Sequence, residues 1–412
     1  MLTQAFPPDP AAVGQYFEEA ALSLAENHHT VLVLTADRDY DNPKIRYDNR
    51  SRHPNIVIKR LPFSSFGKKT ILHRLLGQAS FLGQSFLRLL WARQVDRLVV
   101  TTIPATTGII LALLSFIRSF HIIYWVMDIN PDQAVALRIV TPNSLSRRLL
   151  DAVNRRLLHK AHRVIPLDTY MAERLRRKVS DPSRFDTKLT IIPPWPLEGI
   201  LSSHPSSSPN LSSPAPALNE FRQAHGIEPE TFVFMYAGNH SLVHPIEAII
   251  EAIGGTLNWG DTLFAFIGGG RGKAAVEKWE KQPGAHPLLN LPYQPLDQVP
   301  AMISAADVHL VAMGEAMVGI VHPCKIYSAL AAARPILLYG PRHSPLGEMI
   351  EQYHLGWVIE PGTPARNIRT QLQKIRETPR DELKQIGQRC REAVHSHYNP
   401  QSLRMQFVQE VE

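Results

Sequence analysis

The chain reads as an α/β protein of two domains, on three observations. Short β-branched runs alternate with helical stretches along its whole length, a Ser- and Pro-rich segment breaks that rhythm near the middle, and the rhythm then restarts. At 412 residues the chain is too long for one ordinary core and suits two. Two such domains facing one another would leave a cleft between the carboxyl ends of their strands, where open α/β sheets bind ligands.

Taken in order, strands are expected at Leu2–Phe6, Val31–Thr35, Leu98–Ile103, Ile122–Asp128, Arg163–Leu167 and Thr190–Pro193, with helices at Val13–Glu26 and Leu145–Lys160. Residues 202–219 are mostly Ser, Pro and small side chains, too poor in apolar area to order themselves, and read as a loop or linker. Beyond them strands are expected at Phe232–Gly238, Leu263–Gly268, Leu288–Tyr293, Val308–Met313, Pro335–Tyr339 and Gly356–Ile359. Helices are expected between them at Pro245–Ile253, Lys273–Lys281 and Lys325–Ala332. The division is therefore 1–200, a linker at 201–219, and 220–397, with a final helix over about 398–412.

Composition narrows the class. With 44% apolar and 20% charged residues the chain is globular rather than disordered. Cys324 and Cys390 are too few for a disulfide framework or a four-cysteine zinc site. No secretory signal is visible in Met1–Pro10. The greasiest run, Gly108–Ile117, falls short of the roughly 20 residues a membrane span needs. The expectation is a cytoplasmic, non-spanning protein.

Charge is unevenly spread: residues 1–200 carry a net +10 and the remainder a net −3. Between Lys44 and Arg97 twelve basic residues face only Asp48 and Asp96, and between Arg147 and Lys178 ten face three acids. Nucleic acid and an anionic membrane surface are the two readings of such an excess. The segment Thr70–Arg93 favours the membrane, because long aliphatic and aromatic side chains alternate there with Arg, as in helices that lie in a lipid interface. The alternative for the same segment is a core helix with one basic face.

Three loops carry candidate chemistry. In His322-Pro-Cys-Lys-Ile-Tyr-Ser-Ala329 a helix can begin at Pro323, leaving free N–H groups beside Lys325, which together suit a diphosphate. The plain alternative is an ordinary helix start with a surface lysine. In Phe232–Pro245 a strand ends in Gly238, followed by Asn239 and His240, which can donate hydrogen bonds. Phe264-Ala-Phe-Ile-Gly-Gly-Gly-Arg-Gly-Lys273 repeats the plan with Gly268, Gly269 and Arg271. It is no Walker loop, since Ile267 and Ala274 stand where Gly and Ser/Thr belong, and it lacks the dinucleotide spacing G-x-G-x-x-G. Tight turns are the alternative use of these glycines.

Together these segments resemble the family-4-like retaining glycosyltransferases of GT-B fold (glycosyl transferases group 1). The likeness runs through Ala5–Tyr16, Glu26–Thr35, Tyr124-Trp-Val-Met-Asp-Ile-Asn-Pro-Asp132 and the Lys325–Pro335 stretch, which is similar to the family's K-x-x-E-Y-x-A-A-G-x-P donor-binding element. The resemblance implies two Rossmann-like domains, acceptor-side first and nucleotide-sugar-binding second, with the final helix crossing back onto the first. It implies donor contacts from Gly14, Gly238, Asn239, His240, Gly268, Gly269, Arg271, Tyr293, Pro323, Lys325, Ile326, Tyr327 and Ser328. Asp128, Glu315 and Lys325 are the implied catalytic residues, and Asp128 and Asp132 the acceptor contacts. A helix cap on Asp128 or Asn130 is the other reading of that loop, and Asp132 can equally complement a helix dipole.

The departures from the family concern the nucleotide. Ser328 stands where relatives hold the ribose with a glutamate, and Ile320 replaces the glutamate eight residues earlier, so Glu315 is the nearest acid upstream. Asn239 and His244 lie where relatives aim a basic pair at the diphosphate, which leaves Lys325, with Arg271 or Lys273, to neutralise it. The implied activity is transfer from a nucleotide-diphosphate sugar, UDP-sugar foremost, to a saccharide or lipid-linked saccharide in envelope or exopolysaccharide assembly. Neither a cofactor nor a metal is expected, and peripheral contact with an anionic membrane is. A sugar-nucleotide epimerase of the same architecture and a non-catalytic binding module are the alternatives.

Overall fold

A computed structural model of the chain describes residues 1–9, 11–39, 43–66, 71–92, 94–197, 219–254, 259–282 and 286–412. It divides into two compact units, one of Met1–Pro193, Gly319–His322 and Gln401–Glu412, the other of Pro194–Val318 and Pro323–Pro400. Of the Ser/Pro-rich 201–219 stretch only Asn219 lies within the described residues, where its side chain accepts from the Arg222 N–H and starts the helix Glu220–Ala224.

In the first unit β1 (Val31–Ala36) and β2 (Ile56–Leu61) pair in parallel, as do β3 (Arg97–Val100), β4 (His121–Val126) and β5 (Arg163–Pro166). The two groups are joined through Met1–Gln4, whose main chain exchanges hydrogen bonds with Leu34 and Ala36 on one side and reaches Val99 and Ile103 on the other. Leu2 bridges both Leu34 and Val100, with its N–H on the Val99 carbonyl at 2.9 Å. The expected strand Leu2–Phe6 is shortened to this Met1–Gln4 stretch, because the chain turns at Pro7-Pro8. Helix Ala12–Glu26 covers one face and helix Pro400–Val411 adds to the same core, where Trp125 lies between Phe17 at 5.5 Å and Phe407 at 4.5 Å.

Three further expectations change. β4 ends at Val126, so Asp128 follows the strand rather than closing it. Thr190–Pro193 forms no strand: the N–H groups of Thr190 and Ile192 reach β5 carbonyls, but Pro193 and Pro194 have none to give. β2 was not anticipated, although its buried Ile56, Ile58 and Leu61 around exposed Val57 and Lys59 are the pattern of a half-buried strand.

The second unit holds one all-parallel six-stranded sheet in the order β11-β10-β9-β6-β7-β8. Its strands are β6 (Phe232–Ala237), β7 (Thr262–Ile267), β8 (Leu288–Leu291), β9 (Val308–Ala312), β10 (Ile336–Tyr339) and β11 (Gly356–Ile359). All side chains of β9 and β10 and nearly all of β6 and β7 are buried, as continuous apolar strands covered on both faces must be. The chain builds outward from β6 through β8, then returns to lay β9 on the other side of β6. That reversal leaves a crevice at the carboxyl ends of β6 and β9.

Candidate active site

The loops at that edge interlock through glycines. Gly238, Gly268 and Gly270 have φ of 120°, 125° and 119°, a region that side chains disfavour. A Cβ on Gly268 would stand 2.1 Å from the Gly238 carbonyl oxygen, and one on Gly270 2.3 Å from Asn239 Oδ1. The loops are laced by the His240 N–H on the Gly269 carbonyl and the Gly272 N–H on the His240 carbonyl, both at 2.7 Å. Gly268 and Gly270 therefore serve loop packing. Gly238 differs: the atoms nearest its open side are Cε and Nζ of Lys325, at 3.6 and 3.7 Å.

Lys325 opens the helix Lys325–Ala331 and points its ammonium back over β6. Nζ lies 3.7 Å from the Tyr236 ring centroid and 3.5 Å from the Asn239 carbonyl oxygen. It forms no ion pair with any carboxylate of the described residues. Burial lowers its pKa from 10.5 to about 7. The histidines behind it stay neutral. Burial, followed by the field of Lys325, lowers His240 to about 4 and His244 to about 3. The Tyr236 face and the Asn239 carbonyl hold a cation in place, and no carboxylate among the described residues pairs with it.

Other expected donor contacts fall differently. The helix begins at Lys325, not Pro323, and the N–H groups of Ile326 and Tyr327 already donate to the carbonyls of Pro323 and Cys324. Ile326 and Tyr327 are core residues, Tyr327 packing edge-on to Tyr398 at 5.0 Å, and Pro323 is buried. These three do not offer the free donors expected of them. His240 is fully buried, its ring against Tyr236 at 4.6 Å, so it supports the loop from beneath. Lys273 is committed to the carbonyls of Gly268, at 2.6 Å, and Leu291. Asn239, Arg271 and Glu315 are exposed, and Ser328 is half-buried. Tyr293 is exposed just beyond β8 with its hydroxyl 3.5 Å from the Gly269 carbonyl, and its ring covers the spot a Gly269 Cβ would approach at 3.0 Å.

In the first unit, Asp128 sits past the end of β4. Its main chain bridges Val321, and the next N–H, of Ile129, donates to the Ile320 carbonyl at 2.9 Å. Asp128 caps no helix, since the following helix Asp132–Ala136 has Pro131 at its cap position. Its half-buried carboxyl meets no cation of the described residues, and burial raises its pKa from 3.8 to about 6. Asp132 is corrected: one oxygen accepts from Arg174 Nε at 2.7 Å and the other pairs with Lys178, which also reaches Asp151 at 2.9 Å. A carboxylate spent on two cations is not an acceptor contact. Gly14 is corrected as well, because a Cβ there would meet the Ala5 carbonyl and Phe6 Cα at 3.1 Å, so its missing side chain admits neighbouring backbone.

Sequence reading missed Tyr236 as the seat of the lysine, though an aromatic two residues before a strand-ending glycine was there to be noticed. It also missed the buried pair of His322 Nδ1 and Asp168 Oδ2 at 2.8 Å, whose partners are distant in sequence.

Parallel α/β sheets in both units are the architecture of the GT-B fold. Residues 11–195 match the model of the glycosyl transferase 4-like domain. The chain is 27% identical over 275 residues to a probable glycosyltransferase, WbjE, of Pseudomonas aeruginosa, an alignment covering 66% of this chain and 64% of that one. It is 24% identical over 368 residues to a putative colanic acid biosynthesis glycosyl transferase, WcaI, of Escherichia coli K12, covering 84% of each. Among solved structures it superposes with a TM-score of 0.65 on Anabaena HepE in complex with UDP-glucose, at 13% identity and over 99% of this chain and 97% of that one. The chain thus has the GT-B fold, and its first half carries a glycosyl transferase 4-like domain.

Proposed function

We propose that this protein transfers a sugar, with retention of anomeric configuration, from a UDP-sugar to a saccharide or lipid-linked saccharide during envelope polysaccharide assembly. The observation that carries the reading is Lys325, a cation seated on Tyr236 beside Gly238 with no carboxylate among the described residues to balance it. Breaking the anomeric C–O bond leaves the electron pair on the diphosphate, and a fixed cation there stabilises the developing charge. The acceptor oxygen forms the new C–O bond and its proton passes to the departing phosphate, while Asp128 accepts a hydrogen bond from the sugar acceptor. Uridine as the base is supported by the UDP-glucose complex of HepE, and polysaccharide assembly by the colanic acid designation of WcaI.

A non-catalytic binding module is the second reading. It draws on Ile320, fully buried where relatives carry a glutamate. The deciding experiment is a thermal-shift screen against UDP, GDP, ADP, CMP and their common sugars, since a ligand of the native state alone raises the melting temperature. A shift with uridine nucleotides that disappears in Lys325→Ala is expected. No shift with any nucleotide would overturn the transferase reading, and a shift without sugar release would favour the module.

A further inference from the structure

We infer that the helices Ile71–Trp91, Thr107–Leu114 and Leu145–Lys160 of the first unit form a docking face for an anionic phospholipid bilayer. The middle helix packs against both of the others. Arg118, just beyond it, donates to the carbonyls of Leu89, Leu90 and Ala92 at the end of the first, and Arg156 of the third lies 4.6 Å from the Phe116 ring centroid. Phe116 is therefore a neighbour of Arg156, and Arg118 ties the Trp91 end of the first helix to the same segment; Arg156 shares the outer face of its helix with Leu145 and Leu149.

Each of these apolar side chains is held out in water: Leu145 is 81% exposed, Trp91 76%, Phe116 75%, Leu149 63% and Ile117 62%. Soluble proteins rarely gather so much apolar surface without something to cover it. The helix Ile71–Trp91 buries Phe81, Ser85 and Leu89, and its outward side carries Leu75, Leu76 and Leu87 beside Arg88, an apolar as well as a basic exterior.

Charge identifies the cover. Arg148, Arg155 and Arg156 are exposed and pair with no carboxylate of the described residues. Residues 97–127 contain no Asp or Glu, and the third helix has only Asp151, buried and held by Arg147 and Lys178. Apolar side chains that enter the acyl boundary, ringed by unpaired arginines, match a lipid surface of negative headgroups. No helix among the described residues is long and apolar enough to cross a membrane, so the face lies on the bilayer. The inference rests on the transferase reading only for its purpose, access to a lipid-linked acceptor.

The test is co-sedimentation of the full chain with phosphatidylcholine vesicles, with and without phosphatidylglycerol, at low and high salt. Pelleting is expected with phosphatidylglycerol, weakened by salt. Arg148→Gln with Arg156→Gln should lower partitioning about fivefold per arginine, and Phe116→Ser with Ile117→Ser should abolish it, all at unchanged melting temperature. Quenching of Trp91 by brominated acyl chains, lost in Trp91→Phe, is the second expected signal. No pelleting, equal pelleting of wild type and variants, or equal pelleting on neutral vesicles would overturn the inference. So would a concentration-dependent dimer lost in the same variants, which would make the face a contact between copies. The UDP thermal shift on the same samples separates the readings: pelleting without a shift sinks the donor site and leaves the docking face standing.

Discussion

The ammonium of Lys325 lies 3.7 Å from the centroid of the Tyr236 ring, a cation given an aromatic seat and no carboxylate partner among the described residues. An arrangement that lowers its pKa to about 7 holds the charge weakly until an anion arrives. A bound diphosphate favours the charged form and restores the higher pKa.

Nucleotide binding should therefore take up a proton above about pH 7. Affinity should be flat below that value and fall as pH rises past it, by at most about tenfold per unit. Calorimetric titrations in buffers of different ionisation enthalpy read the proton directly. Lys325→Arg, always charged, should bind without the pH dependence.

Asp128 gives the opposite sign for stability. A carboxyl raised from 3.8 to about 6 binds its proton more tightly in the folded chain, so it favours folding at acid pH and becomes a penalty as pH rises through that window. Asp128→Asn should raise stability at neutral pH by up to about 3 kcal/mol. It should also slow sugar transfer while leaving the UDP thermal shift intact. Denaturant melts at acid and neutral pH check the first effect, and product assays the second.

The loop glycines should not tolerate side chains. Gly268→Ala places a methyl group on the Gly238 carbonyl at a disfavoured φ, and a loss of about 3 kcal/mol is expected. Gly238→Ala, strained but uncrowded by backbone, should cost less stability and weaken nucleotide binding through Lys325. Denaturant melts and nucleotide titrations of the two variants will differ accordingly.

Lys178 joins Asp132 to Asp151 in a largely buried cluster. Lys178→Ala should destabilise the chain by about 2 kcal/mol, because Asp132 and Asp151 each lose one of two cations and keep only Arg174 and Arg147, with donor binding unchanged. Unaltered stability on urea melting would remove this cluster from the account of the fold.

Most strands were legible because buried parallel strands are continuous apolar runs, a pattern that survives without tertiary information. β2 was hidden by Lys59, which faces outward on an edge, and by Arg60, which turns inward to the carbonyls of Pro7 and Ala36. Of the site, Gly238 and Lys325 were each singled out from their loops, and the structure places them side by side. Ile326 and Tyr327 could not be read, since their burial is decided by Tyr398 and other residues far along the chain. Asp132 looked available for the same reason: its partners Arg174 and Lys178 come from the segment after β5.

The first unit is completed by Gly319–His322 and Gln401–Glu412, and Phe407 on Trp125 belongs to its core. Vectorial synthesis therefore delivers its opening 193 residues long before the pieces that finish them. The nascent first half waits on the ribosome with Trp125 unsheltered by Phe407 while the second unit is translated. Fragments cut at the Ser/Pro-rich seam, and chimeras that exchange halves there, inherit the same gap unless the terminal helix travels with the first half.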